Sequence, residues 1–311
     1  MALFYAGPST GTLYGLERWS MSSSPPRLRV VLIGAGNVGV AVCSLLQRRG
    51  HEIVGVASRS RSSAEAGAGR LGTRTMVFDS SFPSCDVVLL GVTEDALGEV
   101  SARLAPFLAG HEIVCHFAGA RGVEALEALG DRARGLCALH PVQAVPSVDA
   151  GVDRLPGSAW GVTCSPGVQD WAEEFVSDEL GGAPVTVAEN DRVSWHAAAV
   201  MSSNGIVALL ALGESILESI GVDDPHAVLG PLTAGTAANA AEAGRAATAL
   251  TGPIVRGETS TVERHIDALS KAPELRAAYL NAARLILAAA ATSGRAAPDE
   301  SDAIRAVLER A

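Results

Sequence analysis

The sequence predicts an α/β protein: a doubly wound parallel sheet followed by an all-α C-terminal domain. Three observations carry the prediction. Short β-branched runs alternate with helical stretches through the first half of the chain. The first run closes on a loop of the form G-x-G-x-x-G that opens a helix. Beyond Asp191 the strand pattern stops and Ala-rich helical sequence takes over.

Residues 1–26 read as a flexible N-terminal extension, mixing Gly, Ser, Thr and Pro with scattered aromatics and following no period. Met21 stands just before Ser22-Ser23-Ser24-Pro25-Pro26 and is a candidate true start. The α/β domain is expected over 27–188. Leu28–Ile33 is the first buried parallel strand, and 38–49 a helix stopped by Gly50. Strands follow at 52–57, 75–78, 86–92, 112–117 and 135–139, the last leading into His140-Pro141. A strand over 158–164, a helix over 168–180 and a strand over 184–187 complete it. The helical domain spans 189–311, broken by Gly213, Gly221, Gly230, Pro231, Gly252, Pro253 and Pro273.

The loop Gly34-Ala35-Gly36-Asn37-Val38-Gly39 sits where a dinucleotide would dock. Gly34 allows the tight turn, Gly36 lets backbone approach a pyrophosphate, and Gly39 lets helix and strand pack closely. The helix N-terminus supplies unpaired N–H groups and the positive end of the helix dipole. An NAD site usually places an acid about 20 residues on, at the end of the second strand, to hold the ribose 2′-hydroxyl. This strand instead ends Ala57-Ser58-Arg59-Ser60-Arg61. Ser58 and Ser60 can donate to a 2′-phosphate and Arg59 can pair with it, so the expected cofactor is NADP. Gly91-Val92-Thr93 and Ala118-Gly119-Ala120 follow the next two long strands, at the carboxyl edge where ligands bind in such sheets. They are assigned to the nicotinamide half.

The stretch 195–213 (WHAAAVMSSNGIVALLALG) is apolar nearly all round, which predicts a buried helix. Ser202-Ser203-Asn204 interrupts it, with His196 near its start. Buried polar groups cost about 1–3 kcal/mol each unless they are paired. At 100° per residue, His196 and Ser203 lie about 20° apart and Asn204 about 80° from His196, so they can line one side of a cleft. His196 and Asn204 are therefore candidate catalytic residues, and Ser203 a substrate contact. His140, at the end of its strand, is a third catalytic candidate. Thr251 and Arg256 lie in a Gly/Pro break, Leu250-Thr251-Gly252-Pro253-Ile254-Val255-Arg256-Gly257-Glu258, where Arg256 would clamp a carboxylate.

Composition narrows the function classes. The chain has 311 residues, 48% of them hydrophobic, enough for two domains and a substantial core. Its net charge is −10, which disfavours a nucleic-acid partner. Lys271 is the only lysine among the 24 basic residues. The cysteines number 5 with no C-x-x-C and no His pair at metal spacing, which fits reduced thiols, a cytoplasmic location and no metal. No uninterrupted apolar run reaches the roughly 18 residues of a membrane span, so no membrane partner is expected.

The GAGNVG loop, the helix opening WHAAAVMSSN and the segment TGPIVRGETSTVERH together resemble a widespread bacterial group over roughly residues 27–311. Its members join a Rossmann-like domain to a C-terminal domain of uncharacterised function and are described as NADP oxidoreductases. The group is similar to ketopantoate reductase, pyrroline-5-carboxylate reductase and the β-hydroxyacid dehydrogenases. That resemblance implies substrate at an interdomain cleft against the first long helix of the second domain, and a homodimer through the helical domain. In ketopantoate reductase and the hydroxyacid dehydrogenases that helix carries a catalytic lysine with Asn four residues later. Matching the Asn to Asn204 puts Val200 at the lysine position. The lysine mechanism therefore does not transfer, and histidine becomes the expected proton donor. His140-Pro141 is also similar to the His-Pro motif of prephenate dehydrogenases. The expected activity is NADP-dependent reduction of a small carbonyl carboxylate of the ketopantoate kind. An imine of the pyrroline-5-carboxylate kind and a non-catalytic NADP sensor stay open beside it.

Overall fold

The structure, a computed structural model, describes residues 27–78 and 82–311, so the extension at 1–26 lies outside the described residues. The chain divides into two compact units, one ending at Asn190 and one spanning Asp191–Ala311.

The first unit is a seven-stranded sheet: β1 (Arg29–Ile33), β2 (Glu52–Ala57), β3 (Val87–Leu90), β4 (Ile113–His116), β5 (Gly135–Pro141), β6 (Ala159–Cys164) and β7 (Ala183–Thr186). They lie in the order β2-β1-β3-β4-β5-β6-β7. The continuous apolar runs form buried strands because both faces of the sheet are covered. One face packs Leu32, Leu89, Cys115, Cys137 and Trp160 against α1 (Asn37–Arg48), α4 (Val148–Arg154) and α5 (Gln169–Glu174). The other packs Val31, Val88, Leu90 and Val114 against α3 (Leu97–Leu104) and the 3₁₀ segment Val123–Arg132. Helix α1 ends where Gly50 turns the chain with φ of 93°, a left-handed conformation that glycine adopts at little cost.

Two sheet expectations need correction. The sheet is not wholly parallel: β6 runs antiparallel to β5, pairing Cys137 with Cys164 and Pro141 with Trp160. A run of apolar residues records burial but carries no direction. The strand expected at 75–78 shrinks to a single parallel bridge between Val56 and Thr75. Beyond it the chain leaves β2, and Phe78 stacks on Phe82 at 6.1 Å between ring centroids. Met76, Val77 and Phe78 become the wall of a cleft instead.

The second unit contains α6 (Arg192–Ser219), α7 (Pro225–Glu242), α8 (Thr259–Ala268), α9 (Pro273–Thr292) and α10 (Pro298–Arg310). Its packed core belongs to the last three helices: Val262 and Ile266, Leu280 and Leu287, Ile304 and Leu308, closed by Ile254. The expectation that 195–213 forms a buried helix is overturned, because only Arg192 of α6 is buried. An apolar helix within one chain stays exposed when the chain supplies too few surfaces to cover it. Val193, Met201 and Val207 are 66%, 59% and 65% exposed, and Leu232 on α7 is 64% exposed. The segment Glu189–Ser219, 31 residues, is also long and apolar enough to cross a membrane by length and composition. Its middle carries Ser202-Ser203-Asn204.

Leu89→Ala would empty a fully buried position between β1 and β4. Urea denaturation is expected to show a loss of about 2–5 kcal/mol, the usual range for Leu→Ala in a core.

Candidate functional site

The order β2-β1-β3 places successive strands on opposite sides of β1, which makes the edge between β1 and β3 the switch point of the sheet. Two backbone turns meet there. Gly34 donates its N–H to the Ala57 carbonyl at 2.8 Å, and Gly91 donates to the Ile33 carbonyl at 2.8 Å. Gly34 has φ of 95°, and a Cβ on it would lie 2.5 Å from the Gly91 carbonyl. A Cβ on Gly91 would lie 2.5 Å from the Gly34 oxygen. Neither position has room for a side chain, and both strand ends are held against the start of α1. Gly39 behaves as the sequence implies, since a Cβ there would meet Leu32 at 2.8 Å.

Above this contact opens a cleft of about 490 Å³. It brings together nine of the expected cofactor residues: Gly34, Ala35, Gly36, Ser58, Arg59, Ser60, Gly91, Val92 and Thr93. Asn37, Val38, Gly39, Ala118 and Gly119 are not among the lining residues. Asn37 has a different job: its side-chain amide donates to the carbonyls of Val145 and Pro146 at 3.2 and 3.0 Å, strapping the start of α1 to the segment after β5.

Sequence reasoning missed the far wall, made by Met76, Val77, Phe78, Val100 and Arg103. The Arg103 guanidinium sits 5.0 Å from the Phe78 ring centroid, a cation–π distance. It also missed the N-terminus of α2 (Arg61–Arg70). There the Ser60 hydroxyl caps the helix by accepting from the Ser63 N–H at 3.1 Å. The signal was present in Ser60-Arg61-Ser62-Ser63, a Ser-rich entry to a helix. Glu65, in the second turn of α2, accepts from Arg61 at 2.7 Å on the exposed face of that helix, and Glu99 on α3 is the acid among the described residues that line the cleft.

The loop after β4 is fixed by three side chains that the sequence did not single out. The buried His116 ring accepts from the Ala118 N–H at Nδ1, 3.1 Å, so its Nε2–H donates to the Gly122 carbonyl at 2.9 Å. Glu94, following β3, accepts from the Ala120 N–H at 3.0 Å, tying the loops after β3 and β4 together. Glu189 accepts from the N–H groups of Val123 and Glu124 at 3.1 and 3.0 Å, capping the 3₁₀ segment from 65 residues away. Glu189 and Glu124 face each other. Burial and the hydrogen bond with Glu124 raise the Glu189 carboxyl above the usual range. Burial opposes charge on Glu124 as well, yet bonds from Glu189 and Arg121 hold it down at about 2.

The remaining candidates are distributed as follows. His140 is half-buried on β5, opposite Gly161, and is not among the residues lining the cleft. His196 is half-buried on α6, while Ser203 and Asn204 are exposed on the same helix. Thr251 is exposed, and Arg256 is paired through Nε with Glu258 at 2.7 Å. Among the described residues no cluster of His, Cys, Asp and Glu could hold a metal ion. The Glu189 cap yields a stability test: Glu189→Ala is expected to lower the unfolding free energy by about 1 kcal/mol, as lost caps do. Glu189→Gln, which keeps an acceptor and donates to Glu124, is expected to lose less in the same urea titration.

Comparison with known proteins agrees with this architecture. Residues 17–141 match a Rossmann-like domain model. Residues 158–286 match a domain of unknown function, DUF2520, a match that begins in the last two strands of the sheet. No curated protein matches the chain. Among solved structures, a proposed NADP oxidoreductase from Bacteroides fragilis is 24% identical with a TM-score of 0.71, covering 84% of this chain and 98% of its own. A Thermotoga maritima protein is 21% identical with a TM-score of 0.67, covering 85% of this chain and 99% of its own. A 1-pyrroline-5-carboxylate reductase from Streptococcus pyogenes is 18% identical with a TM-score of 0.58, covering 93% and 98%. The chain thus joins a Rossmann-like domain to a C-terminal domain of the DUF2520 type.

Proposed function

We propose that this protein is an NADPH-dependent reductase of a small carboxylate-bearing substrate. One observation carries the reading: a single cleft gathers the glycine turn, the Ser58-Arg59-Ser60 end of β2 and the Gly91-Val92-Thr93 turn. The Gly34–Gly91 approach leaves backbone, not side chain, facing the cleft, which suits a pyrophosphate. Ser58, Arg59 and the N-terminal amides of α2 would hold the 2′-phosphate, and the sequence Ala57-Ser58-Arg59-Ser60-Arg61 at the end of β2 has no acid to hold a bare 2′-hydroxyl. The cofactor, when bound, supplies hydride.

The chain's own groups must then orient the substrate and deliver a proton. His196 or His140 would donate the proton, Asn204 and Ser203 would hold the substrate oxygen, and Thr251 and Arg256 would hold the carboxylate. Arg256 is available only by exchanging its Glu258 partner for substrate, an exchange between carboxylates of similar charge. The substrate class we favour is a 2-oxo acid of the ketopantoate kind. An imine of the pyrroline-5-carboxylate kind is the second reading. Val200, where related enzymes carry lysine, favours it: a protonated imine already holds its proton and needs no acid at the moment of hydride arrival. A pyrroline-5-carboxylate reductase also shares the fold. A non-catalytic NADPH sensor would use the same cleft without turnover. The reduced cysteines fit the cytoplasm, and the substrate requires neither nucleic acid nor membrane.

NADPH and NADH titrations followed by fluorescence test the cofactor, and NADPH oxidation with 2-oxo acids and cyclic imines tests the reaction. NADPH is expected to bind tighter, and Arg59→Ala to weaken NADPH about tenfold, equivalent to about 1.4 kcal/mol, while leaving NADH unchanged. Equal affinities would overturn the NADP assignment, and no binding of either would overturn the reading entirely. His196→Ala or His140→Ala is expected to lower kcat by about 10²–10⁴, the ordinary contribution of a general acid. NADPH binding with no turnover of either substrate class would favour the sensor.

We also propose that α6 and α7 pair with a second copy of the chain. Their apolar side chains are too exposed for a finished surface of one chain. Sedimentation is expected to show a dimer, and Val207→Glu with Leu232→Glu to give monomers. A monomeric wild type would refute the pairing.

A further inference from the structure

Across the middle of the sheet, three neighbouring strands each contribute a cysteine to the same face: Cys115 on β4, Cys137 on β5 and Cys164 on β6. Cys115 and Cys137 are fully buried, and Cys164 is half-buried. The Cys164 Sγ lies 3.2 Å from the Cys137 Sγ. Cys164 also lines a surface recess with Thr163, Ser165, Pro166 and Gln169. The three thiols therefore run from the interior to a point that small solutes can reach.

The register makes the outer pair unusual. Strands β5 and β6 are antiparallel, and Cys137 is directly opposite Cys164. The Ser165 N–H donates to the Leu136 carbonyl at 2.9 Å, and the Val142 N–H donates to the Ala159 carbonyl at 2.8 Å. Those hydrogen-bonded pairs lie an odd number of steps from the Cys137–Cys164 pair, which is therefore non-hydrogen-bonded. In such pairs the Cα atoms approach to about 4.5 Å and the side chains are closest. That separation lies inside the roughly 4.4–6.8 Å that a disulfide spans. Bringing the sulfurs from 3.2 Å to a bond of about 2.05 Å needs side-chain rotation and no rearrangement of the strands.

We propose that Cys164 and Cys137 are an oxidisable thiol pair: Cys164 takes up a small peroxide and Cys137 resolves it into a reversible cross-strand disulfide. The roles follow from access. Hydrogen bonding with Cys115 and burial hold Cys137 as a thiol, outweighing the opposing hydrogen bond that Cys164 donates to it, so Cys137 is ill-suited to meet an oxidant first. The Cys164 thiolate attacks hydrogen peroxide, forming an S–O bond and releasing hydroxide, which leaves Cys164 as a sulfenic acid. The Cys137 sulfur displaces that hydroxyl as water, losing its own proton. Two thiols and one peroxide give one disulfide and two waters. The buried Cys137 thiol must lose its proton in the second step, which makes that step the slower of the two. The link would staple β5 to β6 and is independent of any reading of the nucleotide cleft.

The test uses the full chain treated with hydrogen peroxide, quenched with iodoacetamide and cut with trypsin without reductant. Cys137 and Cys164 fall in different tryptic peptides, 135–154 and 155–192, each with one cysteine. The expected product is a link between these two peptides, lighter than their sum by two hydrogens and cleaved by dithiothreitol. In untreated native protein, iodoacetamide is expected to label Cys164 before the other four. Cys137→Ser should leave Cys164 as a sulfenic acid trapped by dimedone, and Cys164→Ser should leave Cys137 unmodified. Oxidation of wild type that carries Cys164 to sulfinic acid without a link, or that links Cys164 to a second chain, would overturn the proposal. So would native labelling that spares Cys164. The wild-type measurements decide the matter even if a serine variant fails to fold.

Discussion

The carboxyl edge of the sheet is organised by the approach of two turns that have no side chains. Gly34 and Gly91 each occupy the space that a Cβ on the other side would need. This contact brings the end of β1 and the end of β3 together, with α1 rising directly behind. The N–H groups at the start of α1 are thereby presented on the cleft side of the sheet. A nucleotide fold needs its phosphate donors fixed before the ligand arrives, because donors that must reorganise lose affinity to the cost of ordering. Here backbone packing supplies that order.

Around this fixed point the second layer of control is polar. His116 closes the loop after β4 on itself, Glu94 joins it to the loop after β3, and Glu189 holds the start of the following 3₁₀ segment. Each of the three satisfies backbone N–H or C=O groups that would otherwise have no partner in a loop too irregular to pair with itself. The loop after β4 is therefore built into the sheet, and its shape is set by residues far apart in sequence. The opposed carboxylates of Glu189 and Glu124 add a proton-sensitive element at the last residues of the sheet unit. Their charges repel when both are ionised, and Arg121 settles which of the two carries the charge.

Much of this was legible in the sequence where the governing physics is local. The glycine loop, the β-branched strands and the absence of an acid after β2 each depend on a few consecutive residues. Nine of the residues they singled out line one cleft. What the sequence hid depends on distant partners. Leu136 and Val162 look alike in parallel and antiparallel strands, so the reversal of β6 left no mark. Met76, Val77 and Phe78 have strand-like composition, but the aromatic contact of Phe78 with Phe82 draws them off the sheet. His116 and Glu189 looked like ordinary polar residues because their partners are backbone atoms brought in by the fold. Helix α6 was misread for a different reason. Apolar composition shows that a helix seeks cover, and says nothing of whether its own chain provides it.

Asn37 carries a consequence for the order of assembly. Its side chain bridges to carbonyls 108 and 109 residues further along the chain. As the polypeptide is synthesised, β1, the glycine turn and α1 emerge and can pair with β2 long before Val145 and Pro146 exist. The turn is thus drafted early by local contacts and finished late, when the segment after β5 arrives and takes up the Asn37 amide. Long-range closures of this kind slow folding. A growing chain halted before residue 145 would hold the glycine motif without its last anchor.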